Sequence, residues 1–216
     1  MAKQLTFPLP NKLTQRELGS IYFDRLKQSV TREGWLKSAV EKRALDRTGE
    51  PCPWYTYPAL HFIAERILPS WKIFEYGSGQ STLWWGARVA RVIAVEHHKG
   101  WADHVASQAP RHVTIVHREL EYGGDYGREI LQHEFAFDVV IIDGRDRNHC
   151  AKSALERISP KGVFIWDNSD RPRYQDGYDM LKAVGFRRID FHGRGPVNIN
   201  PWTTSIFYRS DNVMGI

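Results

Sequence analysis

The stretch Lys72-Ile73-Phe74-Glu75-Tyr76-Gly77-Ser78-Gly79-Gln80-Ser81-Thr82 decides the fold. Its first five residues are a short apolar run of strand character, and two glycines follow almost at once. Glycines at a strand end let the backbone turn sharply and approach a ligand closely. From Ser81 the pattern becomes helical, so the stretch reads as strand, tight turn, helix. In an open α/β sheet such a turn lies outside the carboxyl end of the strand, where ligands bind.

Working outward toward the C-terminus, short apolar runs alternate with helical stretches. Strands are expected at Lys72–Tyr76, Arg91–Glu96, His112–His117, Phe137–Asp143, Gly162–Asp167, Phe186–Phe191 and Thr204–Tyr208. Helices are expected at Ser81–Ala90, Gly100–Gln108, Asn148–Ile158 and Tyr174–Val184. Val139-Val140-Ile141-Ile142 shows no polar alternation, as a strand covered on both faces should. Strands alternating with helices imply βαβ units and a parallel sheet. The last two strands are joined by Gly193-Arg194-Gly195-Pro196 and a short loop without a helix, which allows an antiparallel pair. The expected fold is a Rossmann-like, doubly wound seven-stranded α/β sheet, mostly parallel with an antiparallel last strand.

Upstream, residues 14–48 read as amphipathic helix interrupted near Gly34, with Leu18, Ile21, Leu26, Val30, Leu36, Val40 and Leu45 at rough helical spacing. The run Thr48-Gly49-Glu50-Pro51-Cys52-Pro53 breaks that pattern, and a short helix is expected over Pro58–Leu68. The chain therefore divides into an N-terminal helical extension, residues 1–70, and a sheet domain, residues 71–216. Trp54, Tyr55 and Tyr57 lie between Pro53 and Pro58, either as a lid over the site or as packing against the sheet.

The ligand follows from the acids around the turn. A dinucleotide site carries a third glycine, Gly-x-Gly-x-x-Gly, where a helix N-terminus meets the pyrophosphate. Here Thr82 stands in that position, and Glu75 precedes the first glycine. A carboxylate there repels a pyrophosphate but suits a ligand with an ammonium and a sulfonium. S-adenosylmethionine has both, so it ranks above NAD. Glu96, at the end of the second strand and nineteen residues after Gly77, is placed to accept both hydroxyls of a ribose.

With these residues assembled, the chain resembles the class I S-adenosylmethionine-dependent methyltransferases. Glu75-Tyr76-Gly77-Ser78-Gly79 with Glu96 is similar to that superfamily's first two motifs, and Phe137-Asp138-Val139-Val140-Ile141-Ile142-Asp143-Gly144 to its fourth-strand motif. The resemblance covers roughly residues 71–209. It implies a cofactor site made of Glu75, Gly77, Ser78, Gly79, Ser81, Glu96, His97, Glu119 and Asp143. Glu75 and the glycine turn would lie along the methionine and ribose parts, and Asp143 near the reacting centre. The adenine contact would follow the third strand, at His117, Arg118 and Glu119.

A narrower resemblance concerns a metal. Asp143, Asp167 and Asn168 close the fourth and fifth strands on one rim, and their oxygens suit a hard divalent cation such as Mg²⁺. The set is similar to the metal triad of cation-dependent O-methyltransferases of the catechol and caffeoyl-coenzyme-A type. Those families place a Lys three residues beyond the first Asp, whereas this chain has Asp146 between Arg145 and Arg147. Asp143 and Asp146 are the catalytic candidates, with His97 and His149 as further bases.

The expected activity is O-methylation of a small molecule or glycan hydroxyl. Two other classes stay open. A nucleic-acid methyltransferase would use the formal charge of +5, most of it in residues 1–50, where ten Lys or Arg face six Asp or Glu. Against it, Asp143-Gly144-Arg145-Asp146 stands where base-amino methylases carry Asn-Pro-Pro-Tyr or Asp-Pro-Pro-Tyr. A non-catalytic nucleoside-binding scaffold would keep the fold alone. No apolar run is long enough to span a membrane, Met1–Pro10 does not read as a signal peptide, and the two cysteines, Cys52 and Cys150, suit a reducing, cytoplasmic setting.

Overall fold

The computed structural model describes residues 15–216. The Met1–Pro10 segment, the helical reading at residue 14 and the side chain of Leu18 lie outside what is described. Seven strands form one sheet: β1 (Lys72–Tyr76), β2 (Arg91–Glu96), β3 (Val113–His117), β4 (Phe137–Ile142), β5 (Ile158–Trp166), β6 (Arg187–Gly193) and β7 (Trp202–Tyr208). Their order across the sheet is β3-β2-β1-β4-β5-β7-β6. The first five run parallel, and β7 is antiparallel to both neighbours. The chain leaves β1 for β2 on one side and later crosses to β4 on the other. The tips of β1 and β4 therefore flank the point where strand direction of travel reverses, the place where such sheets open a crevice.

Helices cover both faces, and the period of two along each strand divides the core. Phe74, Tyr76, Val140, Ile142, Phe164 and Trp166 pack with Cys150, Ala151 and Ala154 of α7 (Arg147–Ala154) and with Tyr178 and Leu181 of α8 (Gln175–Ala183). Ile73, Val139, Ile141, Val163 and Ile165 face the other way. They meet Trp84 and Trp85 of α4 (Gln80–Gly86) and Ala59 and Ile63 of α3 (Tyr57–Ala64). Each such side chain contributes about 1.5–3 kcal/mol on full burial, and this doubly covered layer holds the strand tips in register.

The segment before β1 joins the same core. Tyr55 is fully buried and Tyr57 nearly so. Thr56 N donates to Thr204 Oγ1 of β7 (3.0 Å), and Thr56 Oγ1 donates to Phe191 O of β6 (2.9 Å). Of the two roles open for these aromatics, Tyr55 and Tyr57 take packing, while Trp54 is 39% exposed. Farther upstream lie α1 (Gln15–Arg32) and α2 (Trp35–Glu41), separated at Gly34, whose φ is +83°. A Cβ there would lie 2.4 Å from Asp46 C, so the break requires glycine. Val30 is the one buried side chain among those described in α1.

The structure departs from the sequence reading most in the stretches after β3 and before β5. The glycine-rich run after β3 contains α6 (Asp125–Arg128) and a 3-10 turn, Glu129–Gln132, because Tyr126 and Ile130 anchor it in the core. Helix α7 ends at Ala154, and β5 begins at Ile158, earlier than the expected Gly162. Cys52 and Cys150 are free and buried. Among the described residues no helix is long and apolar enough to cross a membrane.

Candidate active site

The crevice forms where β1, β2 and β4 end. Gly77 leaves β1 with φ +94°, a conformation that favours glycine. A Cβ on it would lie 3.2 Å from Gly144 Cα, just past the end of β4. The clash is worse in reverse: a Cβ on Gly144 would lie 2.0 Å from Tyr126 Oη and 2.9 Å from Gly77 N. Two glycines set back to back thus let the turns after β1 and β4 share one floor. Gly79 differs, for its φ of 167° is extended backbone and a Cβ would meet only Trp101 Cζ2 at 3.9 Å.

The acids at this floor are held by protein donors. Glu75, 1% exposed, accepts from Ser81 Oγ at one oxygen and from Thr82 Oγ1 (2.6 Å) at the other. Thr82 Oγ1 in turn accepts from Gly79 N (2.9 Å), so the start of α4 is locked to β1. Burial pushes the Glu75 carboxyl up to about 8, with the two hydroxyls opposing that rise. Glu96, 4% exposed, accepts from His97 N (2.8 Å) and His98 N (2.9 Å) at Oε1 and from Ser78 N (3.1 Å) at Oε2. Trp101 Nε1, from α5 (Lys99–Ala106), closes the same turn on Ser78 O (2.8 Å).

Across the floor the charge changes sign. Arg147, 5% exposed, lies under the tips of β4 and β5. It donates from Nε to Gly144 O (2.9 Å), from Nη2 to Asp143 O (2.9 Å) and Asp143 Oδ1 (3.0 Å), and from Nη1 to Asp167 O. Asp167 Oδ1 accepts from Trp202 Nε1 (2.8 Å) and Thr204 Oγ1 (2.6 Å). Burial and the neighbouring Asp143 push Asp167 up to about 7.

These contacts bear on the metal set expected at Asp143, Asp167 and Asn168. Between Asp143 and Asp167, where a cation would sit, lies the Arg147 guanidinium. One oxygen of Asp167 is committed to two donors. The fixed positive charge of Arg147 against Asp143 does not fit Mg²⁺, which demands near-ideal octahedral oxygens. Among the described residues no group of three or more His, Cys, Asp or Glu forms a metal cluster.

Asp146, the other catalytic candidate, is held from two sides. It stands at φ +49° before α7, and its Oδ2 accepts from Gly123 N (2.7 Å), pinning the Tyr122–Gly124 turn. Its Oδ1 meets His149 Nδ1 at 2.6 Å. The Asp146 side chain is 3% exposed and that of His149 55%, so the imidazole, not the carboxylate, meets solvent. Glu119 is exposed and does not line the crevice.

Two cavities share this rim. One, of ≈ 240 Å³, is lined by Glu75, Gly77, Ser78, Ser81, Glu96 and His97 around the β1 and β2 ends and by Asp143, Arg145, Arg147, Arg171 and Arg173 around the β4 and β5 ends. The second, of ≈ 260 Å³, is lined by Tyr122, Asp146, Asn148 and His149 and shares Arg145, Arg147, Arg173 and Tyr174 with the first. A wider hollow of ≈ 760 Å³ lies between α1 and Arg47–Thr48 and touches no strand tip. Of the expected cofactor residues the structure brings seven together in the first cavity, leaving Gly79 beneath Trp101 and Glu119 outside. The sequence reading missed the clasp role of Arg147 and the basic wall. Its only local signal was the density of arginine in Arg145-Asp146-Arg147 and Arg171-Pro172-Arg173.

No protein-family model matches the sequence, and no curated protein sequence matches it. Solved structures do share the fold. The chain is similar to precorrin-6y C5,15-methyltransferase from Geobacter metallireducens, with a TM-score of 0.57 and 15% identity over 71% of this chain and 87% of that one. It is similar to precorrin 8w decarboxylase from Methanobacterium thermoautotrophicum, with a TM-score of 0.54 and 14% identity over 78% and 97%. A TehB-like SAM-dependent methyltransferase from Corynebacterium glutamicum gives 0.51 and 14% over 69% and 85%. The fold is that of the class I methyltransferases.

Proposed function

We propose that the protein is an S-adenosylmethionine-dependent methyltransferase that methylates a hydroxyl on a small molecule or glycan. The observation that carries this reading is the first cavity. At the switch point of a class I methyltransferase sheet, it joins Glu75 and Glu96 of the β1 and β2 ends to Asp143 and a group of arginines at the β4 and β5 ends. That donor set fits a ligand with an ammonium, a carboxylate, a sulfonium and a ribose diol. Glu96 and Ser78 would hold the ribose, Asp143 the cationic end and Arg171 the carboxylate, with Glu75 fixing the turn beside them. The cofactor supplies an electrophilic methyl group; the protein's own contribution is orientation and proton removal.

The chain's residues serve both ends. Because Glu75 and Glu96 are already fixed by hydroxyl and backbone donors, the nucleoside meets a wall that needs no rearrangement, and orientation of this kind can supply about 7–11 kcal/mol of a barrier. Asp143 Oδ1 is bound to Arg147, and Oδ2 has no protein donor among the described residues. Proton removal falls to His149. Its Nδ1 is held by buried Asp146, which fixes the ring's orientation and tautomer and leaves Nε2 as the acceptor. Asp146 is then a positioning residue. The alternatives lose ground on specific grounds: an rRNA methylase from Streptococcus thermophilus shares the fold at a TM-score of 0.50, which speaks to fold alone. A scaffold role leaves the Asp146–His149 pair without work.

The test is transfer of a labelled methyl group to a panel of hydroxylated acceptors. Product with the intact chain, and a loss of about 10²-fold or more in kcat for His149→Ala with KM little changed, is the expected result. Labelled product on an RNA base amine, with none on any hydroxyl, would contradict it.

A further inference from the structure

The second cavity has no electrostatic counterpart for its arginines. Its one acid, Asp146, has Oδ2 committed to Gly123 N and Oδ1 to His149. Arg147 is spent on backbone carbonyls and Asp143. Arg145 and Arg173 remain. Arg173 reaches only the Tyr174 hydroxyl (2.8 Å) and lies over that ring at 4.8 Å. Neither arginine forms an ion pair among the described residues, although other arginines of the chain, such as Arg118 with Glu129 at 2.6 Å, do find carboxylates. Two solvent-facing guanidinium groups therefore stand on the border between the first cavity and a hollow that also holds the exposed imidazole of His149 and the ring of Tyr122.

We infer that this cavity is the acceptor subsite and that it takes a small anionic acceptor, whose carboxylate or phosphate lies between Arg145 and Arg173. Guanidinium forks bind either anion through paired, charge-assisted hydrogen bonds. Anchoring the anion there leaves the rest of the acceptor between Tyr122, Tyr174 and His149. A volume of ≈ 260 Å³ suits one ring or short chain with its anionic group. The size of the hollow favours a small molecule over a nucleic-acid strand. This inference rests on the methyltransferase reading for its purpose but not for its measurement, because anion binding is read without turnover.

The experiment is calorimetric titration of the full chain at low ionic strength in a zwitterionic buffer. The probes are inorganic phosphate, benzoate, neutral benzamide and a short oligouridylate, each with and without saturating adenosylhomocysteine. Phosphate or benzoate is expected to bind, the two arms telling a phosphate site from a carboxylate site. The affinity should fall at least tenfold in the Arg145→Ala/Arg173→Ala variant, with benzamide silent. Adenosylhomocysteine should not displace the anion. Since both arginines are exposed, the variant should melt within a few degrees of the parent, and the conservative Arg145→Lys/Arg173→Lys pair should recover part of the binding. Three results would overturn the inference: anion binding unchanged in the alanine pair or absent from the parent, competition between anion and adenosylhomocysteine, or oligouridylate binding far tighter than either small anion. If adenosylhomocysteine fails to bind, the methyltransferase reading falls, while the titrations on the protein alone still decide the anion subsite.

Discussion

The two walls of the rim solve opposite problems. On the β1–β2 side the acids are saturated: Glu75 is met by Ser81 and Thr82, and Glu96 by Ser78, His97 and His98. On the β4–β5 side Arg147 is equally saturated, but Arg145, Arg171 and Arg173 stand exposed without ion-pair partners among the described residues. The contrast separates architecture from recognition. Saturated groups hold the strand tips together and present a fixed surface; unsaturated charges wait for something to bind. It also shows why charge alone is a poor guide, since Arg145 and Arg147 are two residues apart and serve different ends.

The comparison breaks most severely at Arg147. Arg147→Met should remove the clasp between the β4 and β5 tips and leave Asp143 and Asp167 facing each other without a counter-charge. Losing one partner from a buried charged network costs about 3–5 kcal/mol, enough to unfold the chain or shift its urea midpoint sharply. A midpoint within experimental error of the parent would show that the clasp contributes nothing. Next comes Gly144→Ala. Its Cβ would meet Tyr126 Oη at 2.0 Å and Tyr76 C at 2.9 Å. Overpacking of this kind costs about 1–3 kcal/mol, and the expected readout is a lower midpoint together with weakened nucleoside binding, because the β1 turn must move.

The acids give a pH signature. Glu75 is pushed up to about 8 from 4.5, and Asp167 to about 7 from 3.8. In each case the folded chain keeps a proton that the unfolded chain has lost. The stability they confer is therefore full below about pH 4 and is lost as pH rises through about 7–8. Glu75→Gln should flatten the upper part of this decline in melting experiments across pH 5–9. A parent whose stability rises over that range would contradict the assigned burial of these carboxyls. The smallest effect belongs to the exposed wall. Arg171→Ala should change stability by less than about 0.5 kcal/mol, and a larger loss would mean that its charge is structural after all.

How far the sequence carries this picture depends on whether the partners are local. The parallel strands were legible because Val139–Ile142 is a continuous apolar run and because Gly77 follows β1 directly. Glu75 and Glu96 were legible for the same reason: each sits at or next to the end of its own strand, and Ser81 and Thr82 for the one, His97 and His98 for the other, follow within a few residues, although Ser78 reaches Glu96 from 18 residues away. Arg147 was not, since three carbonyls from the ends of β4 and β5 meet only after the sheet forms. The same holds for Asp146, whose partner Gly123 lies 23 residues away. The helical turn at Asp125–Arg128 was hidden by the glycines around it, whose local signal is a loop, while burial of Tyr126 decided otherwise.

The central claim, that the acid-lined crevice at the β1, β2 and β4 tips holds a sulfur nucleoside, is tested most directly by calorimetric titration of the intact chain with adenosylhomocysteine. The account predicts saturable one-to-one binding that weakens by about tenfold or more in Glu96→Ala, because removing that carboxylate frees Ser78, His97 and His98 amides and takes away the ribose acceptor. No heat and no thermal shift at millimolar nucleoside, from a protein that melts cooperatively, would contradict it.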